Sequence, residues 1–143
     1  MDENVIRWLT KSICKHFTDN KGDYPLYFDG VQTSGVLPET RFELRLNGPD
    51  IYPSGNEVNY IIAINLLVRH KIVPTDPFAK TAIVGRGSQI FSLPIHILKL
   101  GEVPEDSLGC LERLTPIKVT NFSVEKTSNL DFSTVEGTFR LCL

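Results

Sequence analysis

Three cysteines (Cys14, Cys110, Cys142) and three histidines (His16, His70, His96) are the side chains best suited to nucleophilic or metal chemistry in this sequence. The histidines fall in three different segments, with neither HxH nor HExxH spacing. The cysteines are odd in number and lack the short rhythm of a zinc site. A metal site therefore has no support in the residue pattern. A Cys–His nucleophile pair could be assembled in space from Cys110 and His96, but any chain with three cysteines offers such a pair by chance. Nothing flanking either residue marks an activated thiol. The cysteines read as reduced and mostly buried, in a chain made in cytoplasm. Glu105 and Asp106 form an acidic pair in a Pro-bearing loop, where solvation explains them, and no GxSxG element is present. The G-x-G of IVGRGSQ lacks the Gly-Lys-Ser/Thr of a Walker loop and the third glycine of a dinucleotide fingerprint. The expectation is a protein with no catalytic residue, no metal and no cofactor: not an enzyme.

The chain that must position these residues has 143 of them, one domain's worth and enough to bury a core. Its apolar content of 41% and charged content of 22% are ordinary for a globular protein. A formal charge of −2 gives no electrostatic reason to expect a nucleic acid or an anionic membrane as partner. The longest apolar stretch, from Tyr60 to Val68, is interrupted by Asn65 and is too short to span a bilayer as a helix. The N-terminal MDENVIRWL puts acid before its apolar residues, the reverse of a secretory signal.

The segment EVNYIIAINLLVR, residues 57–69, organises the rest. Val58, Tyr60, Ile62, Ile64, Leu66 and Val68 alternate with a mixed set that includes Asn59, Asn65 and Arg69. One apolar face and one half-polar face predict a strand in an antiparallel sheet, reaching roughly 40 Å at the usual rise per residue. A second alternation, Phe42, Leu44 and Leu46 against Arg41, Glu43, Arg45 and Asn47, predicts a strand with one wet face. Between them NGPDIYPSGN, with two Pro and two Gly, reads as an extended hairpin tip too long for a tight turn. Ile51 and Tyr52 at that tip either fold back on their own loop or contact another protein.

Before this hairpin, Val5, Leu9, Ile13 and Phe17, widened by Ile6 and Trp8, predict an amphipathic helix from Asp2 to about Phe17, stopped by TDNKGD. Asp2 and Glu3 suit its N-terminus, Lys15 and His16 its C-terminus. PLYFDG predicts a short strand ended by Gly30, and residues 31–39 a loop. After the hairpin, Asp76 and Pro77 suggest the start of a second helix, with Phe78, Ala82, Ile83, Ile90 and Phe91 as its buried side. Gly85 and Gly87 weaken that helix and either split it or allow close approach to the sheet. PIHILKLG, LGCLERL, IKVTNFSVEKT and STVEGTFRLCL complete the strands, with GEVPEDS an acidic loop and SNLD a turn; the last strand ties the C-terminus into the sheet. The result is a single α+β domain over residues 1–143: an antiparallel sheet built on a long hairpin, flanked by an N-terminal helix and a second helix.

This order of elements resembles the tail terminator (tail completion) proteins of long-tailed bacteriophages, with neck proteins close to them. IRWLTKSICKHF, EVNYIIAINLLVRHK, DPFAKTAIVGRGSQIF, LGCLERL and STVEGTFRLCL carry the resemblance, which spans nearly the whole chain as a pattern of elements. It implies a structural virion protein, made in the host cytoplasm, that forms a homo-oligomeric ring, usually a hexamer, on the end of the tail tube. Its partners would be the tail tube protein and a head-side connector or neck protein, without membrane or sequence-specific nucleic acid. Residues 31–39 and 47–56 have no counterpart that can be matched residue by residue. From the residues themselves, the charged face of Arg41, Glu43 and Arg45 is a candidate ring contact, since a ring needs two complementary patches on each subunit; ordinary solvated strand residues would look the same. Asp50, Ile51 and Tyr52 are the candidate contacts at the hairpin tip. The alternatives are a neck or head-completion subunit at the same junction, and a non-viral β-rich protein-binding adaptor.

Overall fold

A computed structural model of the chain describes residues 2–29, 35–121 and 130–143. The end of the first short strand at Gly30, the start of the 31–39 loop, the second half of IKVTNFSVEKT and the start of SNLD lie outside the described residues. The fold is α+β. Helix α1 (Asp2–Asn20) is followed by strands β1 (Leu26–Phe28), β2 (Arg41–Ser54) and β3 (Glu57–Lys71). Then come α2 (Thr81–Ser92), β4 (His96–Leu98), β5 (Ser107–Cys110), β6 (Glu112–Arg113), β7 (Lys118–Asn121) and β8 (Leu130–Cys142). The main sheet runs β1-β2-β3-β8-β6, with β7 also on β8, while β4 and β5 form a separate two-stranded sheet.

Alternation in the sequence translates directly into burial along β3. Tyr60, Ile62, Ile64, Leu66 and Val68 are all buried, as are Phe42 and Leu44 of β2 and Val135, Phe139 and Leu141 of β8. Both helices cover this one face. Leu9, Ile13 and Phe17 of α1 and Ile83, Ile90 and Phe91 of α2 join the same core. Phe17 meets Phe91 edge-on at 5.2 Å between ring centroids, and Phe91 stacks on Phe139 at 6.1 Å. Helix α1 is also fixed by polar ties. Buried Ser12 accepts a hydrogen bond from the Leu98 amide (3.0 Å) and donates to the Leu98 carbonyl (3.2 Å). His16 Nε2 donates to the Ile90 carbonyl at 2.9 Å. At its other end the Tyr60 hydroxyl donates to Asp2 Oδ1 at 2.6 Å.

The hairpin corrects the expected long tip. β2 pairs with β3 as far as Ser54↔Glu57, so only Gly55 and Asn56 form the turn. The Pro and Gly that read as a loop instead make a bulge: Gly48 and Pro49 stand between the pairs Asn47↔Ala63 and Asp50↔Ile61, two residues opposite one. Gly48 has φ 111°, and a Cβ there would lie 3.0 Å from the Ile61 carbonyl oxygen, so glycine is required. The extra residue shifts the parity of β2. Even-numbered Phe42 and Leu44 face the core before it, and odd-numbered Ile51, opposite Tyr60, packs toward the core after it.

Other expectations also need correction. The second helix begins at Thr81, not at Asp76–Pro77; Asp76 Oδ1 accepts from the Phe78 amide in a local turn, and Phe78 is exposed. Ala82 is exposed as well. The first helix runs to Asn20, a turn beyond Phe17. LGCLERL is divided between the two sheets, and Leu130 and Asp131 of SNLD already belong to β8.

Gly85 and Gly87 do not split α2. A Cβ on Gly87 would meet Leu66 at 3.2 Å, Val135 at 3.4 Å and Phe42 at 3.5 Å, so this glycine lets the helix lie close on the sheet. A Cβ on Gly85 would meet nothing within 4 Å. Gly85→Ala is expected to stabilise the fold by ~0.5–1 kcal/mol through helix propensity, whereas Gly87→Leu overpacks the interface and costs about 1–3 kcal/mol; urea unfolding of the two variants measures both. A second prediction comes from Tyr60. Burial, and then the bond to Asp2, pushes its hydroxyl up to about 12 from an ordinary 10.0. The folded chain thus holds this proton more tightly, a contribution fully present below pH 10 and lost as pH rises toward 12. Tyr60→Phe should show a smaller stability loss than the parent between those pH values in denaturant titrations.

Candidate functional site

With both helices on one face, the other face of the β2-β3-β8 sheet carries Arg41, Glu43, Arg45, Asn65, Leu67 and Arg69, together with Thr134 and Glu136. Its Arg41, Glu43, Arg45 and Arg69 are already paired within the chain. Arg41 and Arg69 are directly opposed across β2 and β3, an arrangement repulsive by itself. Glu43 lies between them: Arg69 Nε donates to one carboxylate oxygen at 2.8 Å and Arg41 Nε reaches the other at 3.5 Å. Arg41 also donates to the Pro38 carbonyl at 2.7 Å and is buried, while Glu43 and Arg69 are half-buried, so the face expected to be wet is only partly so at this end. The Arg69 guanidinium lies 4.4 Å above the centre of the Phe132 ring. Farther along, exposed Arg45 pairs with Asp29 at 3.1 Å.

Of the residues singled out from sequence, Arg41 and Glu43 are brought together, and Arg45 stands apart with Asp29. Asp50 and Tyr52 lie beyond the bulge on the outer face, opposite Ile61 and Asn59, both exposed. Ile51 is half-buried and packs against the core, so it folds back onto its own domain. The sequence reading did not single out Asp29, Arg69 or Asn65 as parts of this face. Arg69 and Asn65 were visible as the polar half of the long strand, but only the register shows what they oppose.

Two surfaces on the sheet stand out among the described residues. β1 pairs with β2 only from Phe42 to Leu44, leaving the β2 edge beyond it without a strand neighbour among the described residues. At the opposite edge of the sheet, where residues 115–118 run beside β8, a groove of about 560 Å³ is lined by Ala63, Asn65, Ile117, Lys118, Glu136 and Thr138. Gly137 also lines it; a Cβ there would come within 2.8 Å of Ile117 Cδ1, a side chain that packs against the core.

Histidine and cysteine fall differently from expectation. Cys14 is half-buried, but Cys110 and Cys142 are exposed, so the cysteines are not mostly buried; all three are free thiols. Cys142 Sγ donates to Glu57 Oε2 at 3.4 Å, and that carboxylate pushes the thiol pKa up. Desolvation does the same for Cys14. Cys110 and His96, by contrast, are opposed across β4 and β5, with Sγ 3.1 Å from His96 Nδ1. His16 lines a recess with His96, Lys15 and Asp19, His70 lies in a different part of the fold, and no group of three or more metal-ligating side chains gathers among the described residues. No helix among the described residues is long and apolar enough to cross a membrane.

No family model and no curated protein matches the chain. A solved structure of a protein whose name carries no functional description is similar to it in fold, with a TM-score of 0.55 at 9% identity, covering 99% of this chain and 95% of that one. At that identity the likeness concerns the fold alone.

The Arg41–Glu43–Arg69 cluster generates a prediction. Glu43→Gln leaves two opposed guanidiniums without their shared carboxylate, and should cost on the order of 1–3 kcal/mol. Denaturant unfolding at low and high salt checks it: screening should recover part of the loss.

Proposed function

We propose that this chain is a structural virion assembly protein of the tail terminator type, forming a ring on the tail tube end and joining it to a head-side connector. One observation carries the reading: among the described residues the subunit has an unpaired strand edge and a groove, two unlike surfaces at opposite edges of one sheet. The first is the open β2 edge, with Asp50 and Tyr52 beside it. The second is the groove lined by Ala63, Ile117 and Lys118. A closed ring needs such a pair, because each subunit presents one patch to a different patch on the next. Asp50 at one side and Lys118 at the other also supply opposite charges for register. The α+β fold, with its N-terminal helix and long hairpin, agrees with the architecture that the resemblance implies. The tail tube protein and the connector are the proposed partners, and ring size follows the rotational symmetry of the tube end.

The open β2 edge also supports a second reading, a protein-binding adaptor that accepts an extended peptide as an added strand. Assembly separates the two. The Arg45–Asp29 pair is more than half exposed on both sides and contributes at most about 1 kcal/mol to the subunit. Arg45→Glu and Tyr52→Lys should therefore leave the fold intact. Electron microscopy of particles assembled with either variant should show over-long tails or tails without heads. Normal tails from both variants would remove this face as the interface. Normal tails from a full deletion would sink the terminator reading.

A further inference from the structure

The pair formed by Cys110 and His96 has no part in ring assembly as argued above, yet its geometry is specific. His96 and Cys110 are register partners across β4 and β5, so both backbones are fixed by the ladder. β4 is held from below by buried Ile95 and Ile97 and from the side by the two hydrogen bonds between Ser12 and Leu98. β5 is held at its end by the Leu111 amide, which donates to the Ile95 carbonyl at 2.9 Å. The imidazole and the thiol thus meet at 3.1 Å on rigid supports, and both are exposed to solvent. Cys110 also lines a groove of about 410 Å³ between α2 and β8, with Phe91, Pro94, Leu111 and Arg113, while His96 borders a separate recess with Lys15, His16 and Asp19.

Neither of the other two thiols has an imidazole partner among the described residues. Cys142 is exposed but donates to a carboxylate, which opposes formation of a thiolate, and Cys14 is half-buried. We propose that Cys110, with His96 as its base, is a thiolation site at which a small-molecule disulfide forms a mixed disulfide with the protein. His96 Nδ1 takes the proton from the Cys110 thiol. The sulfur then attacks one sulfur of the small disulfide, forming the protein–ligand S–S bond and breaking the original one. The second half leaves as a thiolate and recovers the proton from His96, so one disulfide and one thiol are consumed and one of each is produced. The groove beside Cys110 accommodates the retained half.

The test uses the folded full chain incubated with glutathione disulfide, with adducts at each cysteine counted by peptide mass spectrometry over time. Cys110 should be modified roughly tenfold or more faster than Cys142, which shares its exposure but not its base. His96→Gln removes the base from an exposed position and should bring Cys110 down to the Cys142 rate, with the circular dichroism spectrum and unfolding midpoint unchanged. In urea the three cysteines should react at similar rates, since the pair exists only in the fold. Equal rates at Cys110 and Cys142 in the folded parent overturn the proposal. So does a Cys110 rate that His96→Gln leaves unchanged, or an advantage for Cys110 that persists in urea. The outcome is independent of whether tails assemble.

Discussion

β3 is hydrogen-bonded along both edges, to β2 from Arg69 to Glu57 and to β8 from Asn59 to Lys71, and one of its faces is wholly apolar. The rest of the molecule follows from that constraint. A one-residue slip against either neighbour would turn Tyr60, Ile62, Ile64, Leu66 and Val68 toward water, so the register of three long strands is held by the burial of one face. The same face must be covered, and α1 and α2 both lie on it. Because α2 must come close, position 87 has no side chain. Because α1 must not slide, Ser12, His16 and Asp2 each bond to a different element.

A strand as long as β2 tends to coil away from a neighbour, and it carries an edge that invites unwanted pairing. The bulge at Gly48 and Pro49 bears on both problems. It bends the strand, and it inverts the parity so that Ile51 still faces the core while Tyr52 turns outward. Pro49 and Pro53 remove two backbone donors from the ladder region, which blunts non-specific pairing along the open edge. An edge protected in this way still leaves acceptors and an exposed tyrosine for a partner shaped to them. That combination suits a selective interface better than a general one.

The strong alternations were legible: β3, the first half of β2, β8 and the apolar side of α1 all fall where period and residue type place them. What was not legible had local chemistry at odds with its structure. Pro49, Pro53 and two glycines look like a loop because a bulge breaks the period and prolines belong to edges. Asp76 and Pro77 look like a helix start, but Asp76 closes a turn on Phe78 and the helix waits until Thr81. The pairing of Cys110 with His96 is a matter of strand register over fourteen residues, and no short-range pattern encodes it. Nor could the sequence show that Glu43 is shared by two arginines, because that depends on which β3 residue opposes Arg41.

That sharing bears on how the subunit would assemble on the proposed reading. A carboxylate already bridging Arg41 and Arg69 gains little from a third partner, and releasing it would leave two like charges opposed. Arg41 is in any case buried beneath Pro38. This end of the outer face therefore serves the subunit's own stability, whereas Arg45, beyond it and exposed, can exchange Asp29 for a neighbour at little cost. Binding strength between subunits would then come from backbone pairing along the β2 edge and from contact in the groove lined by Ala63 and Ile117, with Asp50, Tyr52 and Arg45 setting register. Such an interface would depend only weakly on salt, because surface charge pairs contribute little of its strength.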